Sequence, residues 1–242
     1  MKKTLAIIMV FFVTISSISF ASSFNSMLVD TQTSFVGSDV VEINTFLSNG
    51  KEVTGYKALT NSVSFNKAST LSSNTLRNQS KYAIMSQGNK TFAFNGSSSM
   101  NSNAKVNGVI NYSTNGSNPV GSTLKVYGGY TDGYWAGSPT NPDQMTIFQK
   151  YTATSIGVAI NVSAPPSLSF SGSAFNQYAE WKSSPIYNHY LLTAPHENVE
   201  AWALSLPLSF KFTVEDGADI YLGSQIYKAR ATVSKKWEDI FY

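Results

Sequence analysis

Apolar and polar residues alternate without a break from Trp202 to Val214. Trp202, Leu204, Leu206, Leu208, Phe210, Phe212 and Val214 take one parity, and Ala203, Ser205, Pro207, Ser209, Lys211 and Thr213 take the other. A period of two suits a β-strand, whose successive side chains leave on opposite faces, and no helix can use it. A continuous strand of this length would reach about 43 Å, well past the usual strand of about five or six residues. Asp216-Gly217 follows directly, which predicts an antiparallel hairpin with a returning strand from about Asp219. Pro207 lies on the polar parity and cannot donate a ladder hydrogen bond. It predicts a sheet edge, a bulge, or a bend that carries the strand between two sheets.

Shorter alternations recur. Ile156, Val158, Ile160 and Val162 share one parity, as do Val106, Ile110 and Tyr112. Phe92 and Phe94, Leu124 and Val126, and Ile220 and Leu222 form shorter pairs of the same kind. Turn signals divide these runs at Asn49-Gly50, Asn95-Gly96, Asn107-Gly108, Asn115-Gly116 and Asp132-Gly133. Helical spacing is weak. Ser38 is placed to cap a short helix through Leu47, although its β-branched residues suit a strand equally. Phe175 to Lys182 and Trp237 to Phe241 have short helical periods. Ser69 to Asn103 and Gly128 to Asp143 read as irregular, the latter as a long loop. The pattern predicts an all-β protein, an antiparallel β-sandwich with long strands and at most short helices.

The N-terminus changes the picture of where that sandwich works. Lys2 and Lys3 precede an apolar run from Leu5 to Val13, and Ser19-Phe20-Ala21 offers a small-residue cleavage site. Residues 1–21 are therefore expected to be a signal peptide and residues 22–242 a single β-sandwich domain, secreted or periplasmic. The apolar run is far shorter than the ~20 residues a spanning helix needs. The chain has no cysteine, so its stability must come from a packed core rather than disulfides.

Charge excludes one class of partner. Without Lys2 and Lys3 the chain carries fifteen basic and fourteen acidic residues, a net charge of +1. That is no electrostatic footprint for nucleic acid. Between Val53 and Thr131 there is no acid, yet Lys57, Lys67, Arg77, Lys81, Lys90, Lys105 and Lys125 are spread through it. This gives a mildly positive surface or, more simply, a solvated one.

Few residues suit catalysis or metal binding. His189 and His196 are the two histidines, too few for a three-histidine metal site, and no glycine-flanked nucleophilic serine occurs. His196, Glu197 and Glu200 lack the second histidine of a zinc helix motif. Glu215, Asp216 and Asp219 cluster without the spacing of a calcium loop and read as a solvated turn. No cofactor or metal is expected. The most suggestive group is Tyr127, Tyr130, Tyr134 and Trp135 on a glycine-rich stretch, where aromatic faces with polar handles suit a sugar ring or a protein surface.

These features lead to an expectation of a secreted, non-enzymatic binding or structural module that recognises a glycan or a protein through those four aromatics. A β-pore-forming protein acting on membranes is the alternative, and a secreted hydrolase the third. An integral barrel fits poorly, because it needs about eight or more strands of 9–11 alternating residues and one run reaches that length. Membrane contact is accordingly less expected than a soluble partner.

Overall fold

The computed structural model of the protein describes residues 26–36, 39–59, 90–115, 123–204 and 207–236. Fifteen strands and no helix occur among them. They are β1 (Met27–Val36), β2 (Asp39–Ser48), β3 (Lys51–Ala58), β4 (Lys90–Ser97), β5 (Ala104–Asn115), β6 (Thr123–Trp135), β7 (Gln144–Ile156) and β8 (Ile160–Ser163). Then come β9 (Ser169–Ser173), β10 (Asn176–Lys182), β11 (Ile186–Tyr187), β12 (Leu191–Pro195), β13 (Val199–Ala203), β14 (Ser209–Leu222) and β15 (Gln225–Lys236). All pairings are antiparallel, and the strands form two sheets packed face to face, an antiparallel β-sandwich.

The larger sheet runs β1-β2-β3-β12-β6-β13-β8, with β5 on the other side of β6 and β4 beyond it. Strand β6 is its axis. One edge of β6 pairs with β5. The other edge is shared: β12 takes Tyr130 through Tyr134, and β13 takes Thr123 through Val126. The smaller sheet runs β15-β14-β7-β10-β9, with β11 on the end of β7. Its inward rows include Met145, Ile147, Tyr151 and Ala153 of β7 and Phe210, Phe212, Val214, Ala218 and Ile220 of β14. They meet Leu124, Val126 and Trp135 of β6 and Leu192 and Ala194 of β12. Alternation places each of these residues inward, and burial of the apolar rows holds the sheets together.

The long alternating run is not one strand. It supplies β13 to the larger sheet and β14 to the smaller, and the chain crosses between them around Pro207. Proline cannot complete a ladder at either side, so the crossing falls where it costs no backbone bond. The hairpin after it forms, but later than the expected Asp216-Gly217 turn. Strand β14 runs on to Leu222, and Gly223-Ser224 makes the turn into β15.

One expected turn forms and other expectations need correction. Asn49-Gly50 is a turn, with positive φ at both residues. Asn95-Gly96, Asn107-Gly108 and Asp132-Gly133 lie inside β4, β5 and β6. Those glycines, and Gly217, give room for a neighbouring element to approach. A Cβ on Gly96 would collide with the Arg230 carbonyl oxygen, and one on Gly133 would lie 2.6 Å from Ala218 Cβ. The expected loop from Gly128 is strand as far as Trp135, and the connection proper is 136–143. The segment through Leu47, which suits a helix or a strand equally, is strand β2, and the helical spacing over Phe175–Lys182 gives way to strand β10. Ile156 to Val162 is broken at Gly157, whose φ of 85° ends β7 before β8 begins at Ile160. Part of the irregular Ser69–Asn103 stretch is strand β4. The signal peptide, Ser38, Lys67, Arg77, Lys81, Gly116, Leu206 and Trp237–Phe241 lie outside the described residues.

Candidate functional site

Among the inward rows of apolar side chains sits a seam of polar ones. Gln149 and Tyr151 occupy consecutive inward positions of β7, and Asp216 falls between Val214 and Ala218 on β14. Lys51 opens β3 and Thr131 comes from β6. His196 comes from the break between β12 and β13, formed by His196, Glu197 and Asn198. Its amide donates to the Gly129 carbonyl at 3.0 Å, opposite an irregularity in β6 where Gly129 takes a φ of 114°. The two adjacent breaks in regular pairing place the imidazole between the sheets.

The seam is continuous. Lys51 Nζ donates to Gln149 Oε1 and stacks over the Trp181 ring at 4.7 Å. Gln149 Nε2 donates to Thr131 Oγ1 at 2.8 Å and to the Ala194 carbonyl of β12 at 3.3 Å. Tyr151 Oη lies 2.6 Å from His196 Nδ1, and His196 Nε2 lies 3.2 Å from Asp216 Oδ2. These distances fit Tyr151 donating to Nδ1 while Nε2–H donates to the carboxylate. Burial pushes the Tyr151 phenol well above its usual range, with the nearby Asp216 charge adding to the effect. Burial also lowers Lys51 to about 8, against the pull of Glu197 and Asp216. Asp216 Oδ1 has no hydrogen-bond partner among the described residues.

Tyrosine, histidine and aspartate in this order resemble a proton relay. Yet the His196 and Asp216 side chains are wholly shielded from solvent. A general acid or base must come within hydrogen-bond reach of its substrate, and neither side chain is open to solvent. What the seam does in this arrangement is join β3, β6, β7, β12 and β14 across the interior. The expected solvated acidic turn is thus replaced by a strand. Asp216 enters the seam, and Asp219 pairs with Arg230 at 2.6 Å and Lys182 at 2.8 Å.

His189 lies elsewhere, against Phe46 and the inner edge of Gly55. Its Nδ1–H donates to the Tyr187 carbonyl at 2.6 Å, and Nε2 accepts from Asn44 Nδ2 at 2.9 Å. Burial lowers its pKa. No group of three or more histidine, aspartate or glutamate side chains among the described residues is placed to hold a metal ion.

The four aromatics singled out from the sequence lie on strand β6 rather than on a loop. Tyr130 and Tyr134 fall on its outward parity and Trp135 on its inward one. Trp135 is buried, stacks on Tyr227 with ring centroids 5.6 Å apart, and donates Nε1–H to the Pro139 carbonyl at 2.9 Å. Tyr134 is buried in a small cluster with Val41, Tyr56, Ala58, Tyr190 and Leu191, and burial raises its pKa. Tyr127 and Tyr130 are half-buried. The structure therefore does not gather the four into one exposed platform.

Two surface features were not legible as sites. A cleft of about 360 Å³ is lined by Asn49, Phe148, Ser167, Ser169, Glu180, Trp181 and Lys182. Much of its polarity is already engaged: Asn49 Nδ2 donates to the Lys182 carbonyl, Lys182 pairs with Asp219, and Glu180 with Lys150. The second is one end of the sandwich. The Leu208 amide donates to the Ile156 carbonyl, Ser155 to Phe175, and Leu204 to Ala159, each at 3.0 Å. These bonds collect Ile156, Phe175, Leu204 and Leu208 at one tip, all more than half exposed. In the sequence they are scattered over more than fifty positions, and three of them extend runs that read as core. No protein-family model matches the chain, and no curated protein matches it either.

Proposed function

We propose that the protein is an exported, non-enzymatic binding or structural module, a β-sandwich that works outside the cytoplasm. The observation that carries this reading is the closure of the seam. The side chains best suited to acid–base chemistry, His196, Tyr151, Asp216 and Lys51, are buried and bonded to one another or to Gln149. Such a network specifies and ties a core, whereas a catalytic group needs access to a reacting atom. The lysine pair with its following apolar run, and the absence of cysteine, support export of a chain that relies on its core.

Binding is then a matter of surface. Half-buried Tyr127 and Tyr130 keep part of their area available for a glycan or a protein partner. The apolar tip is the observation that favours a second reading, action at a membrane. A panel of ester, glycoside and peptide substrates tests the first reading together with retention on immobilised glycans, cell-envelope material and vesicles. Retention without turnover is expected. Turnover that His196→Gln abolishes in a folded protein would overturn it.

A further inference from the structure

We infer that the apolar tip is a docking surface for an anionic lipid bilayer, entered by Ile156, Phe175, Leu204 and Leu208. This rests on the second reading, action at a membrane, and names the surface. The four side chains are 61%, 52%, 57% and 86% exposed, and the backbone bonds that gather them hold three separate connections together. Leu208 packs against Gly157 rather than into the core; a Cβ on Gly157 would stand 3.4 Å from its Cδ1. Isolated exposed apolar residues are ordinary, but several converging on one end mark a contact surface.

Charge selects the occupant. Residues 154–163, 170–176, 202–204, 207–213 and 232–236 form the strand ends and connections of this tip and its surroundings. They contain Lys211, Lys235 and Lys236 and no aspartate or glutamate, while Glu238 and Asp239, which follow Lys236 in the chain, lie outside the described residues. Lys211 and Lys236 are direct cross-strand partners and both are exposed. Lys125 and Lys90 lie on strand segments toward the same end, with Glu200 opposite Lys125. The acid that binds cations, Asp219 with Arg230 and Lys182, sits toward the other end of β14. Apolar side chains projecting beyond a cationic collar match a surface whose headgroups are negative and whose interior is hydrocarbon. Lysine near such a surface gains from its potential, and leucine, isoleucine and phenylalanine gain by leaving water.

The test is co-flotation of the exported protein with vesicles of equal phosphatidylglycerol and phosphatidylcholine, and with vesicles of phosphatidylcholine alone. Wild-type protein is expected to float with the anionic vesicles, and raised salt should weaken this. Ile156→Ser with Leu208→Ser should reduce partitioning by about tenfold per residue, since each removes an apolar side chain from the buried contact. Lys211→Glu should reduce it by several-fold on anionic vesicles. Because these side chains lie outside the core, the thermal midpoint of the variants should match wild type, which separates lost docking from lost folding. No flotation by wild type overturns the inference, as does equal flotation of wild type and the double serine variant. Equal binding to neutral vesicles overturns the choice of an anionic surface. A tip that proves to be a contact between two copies would show as a dimer that the serine variants dissociate, without vesicle binding, and would also overturn it. Each of these failures leaves the non-enzymatic reading standing, because that reading falls to turnover and not to lost lipid binding.

Discussion

Lys51 gives the seam a measurable signature in pH. It is buried at the start of β3, donates to Gln149 Oε1 and lies over Trp181. Burial disfavours its charged form, and Glu197 and Asp216 restore part of the loss, leaving its pKa at about 8 against an ordinary 10.5. Between those two values the unfolded chain binds more protons than the folded one, so stability must rise with pH there. The whole shift corresponds to about 3 kcal/mol, of which about 2 kcal/mol falls between about pH 7 and about pH 9.5. Above about pH 10 the raised Tyr151 phenol pulls the other way: the unfolded chain loses that proton first, and stability falls. Urea unfolding at a series of pH values from about 7 to about 9.5 reads the slope. Lys51→Met removes the titrating group, and its slope should be flatter by about 2 kcal/mol over the interval. The variant's stability at a single pH is a poorer readout, because removing the cation also changes the field at Asp216. Parallel slopes in wild type and variant would refute the placement of a titrating lysine inside the sandwich.

Tyr151→Phe removes the hydroxyl that meets His196 Nδ1 and leaves a buried acceptor unpaired, which should cost about 1–3 kcal/mol in urea unfolding. Gly96→Ala should destabilise by about 3 kcal/mol or more, since its Cβ would collide with the Arg230 carbonyl, whereas Gly128→Ala meets nothing closer than 3.6 Å and should fall within about 1 kcal/mol of wild type in thermal melts. Burial opposes ionisation of Asp219, yet the bonds from Lys182 and Arg230 outweigh it and hold its pKa below the ordinary 3.8. The resulting stabilisation is present above about pH 4 and lost as pH falls through the folded-state value, so Asp219→Asn should unfold with a shallower acid dependence in a circular-dichroism titration.

The class of fold was legible because period two is a property of the strand itself. It shows in β4, β5, β6 and β14, whereas the segment of β10 carries a spacing that reads as helical. Turn chemistry was less transferable, and the glycines show why. Asn49-Gly50 is a turn because both residues take positive φ, the conformation that Asn-Gly tolerates best. Gly96, Gly108, Gly133 and Gly217 take no positive φ. They are glycine because another chain segment occupies the space of a Cβ: the Arg230 carbonyl, the Asp216 carboxylate with the Phe94 ring, Ala218, and the Phe148 ring. Local sequence presents a conformational need and a packing need with the same dipeptide. Tertiary contacts separate them. The same holds for the aromatics of β6, where parity divides Tyr134 from Trp135 once the segment is a strand.

The seam had a signal that a solvated-turn reading passed over. Asp216 continues the inward parity of Phe210, Phe212 and Val214, and Ala218 and Ile220 resume it. An acid in register with a core row must find partners inside, and His196 supplies one at 3.2 Å. His196 itself carried no such mark. Its inward position depends on a break in β12–β13 opposite an irregularity in β6, a coincidence of two strands that neither segment announces alone.

Pro207 links the core to the tip. A single alternating run feeds two sheets, and its parities exchange at the crossing: β13 buries Ala201 and Ala203 and leaves Trp202 half-buried, whereas β14 buries Phe210, Phe212 and Val214. Ala203 ends the buried part of β13, and Phe210 begins the buried part of β14. Leu204 and Leu208 keep the apolar character of the run but lie beyond both sheets, where no facing row among the described residues covers them. An ordinary crossover would carry polar residues at these positions, since connections run through water. Here Leu204 and Leu208 are exposed, and the Leu208 amide bonds to Ile156 at the end of β7. Core packing does not require these leucines, and solubility argues against them. Uptake into the proposed lipid surface accounts for their presence, and Lys211, Lys235 and Lys236 on the strand ends around them favour a negative one.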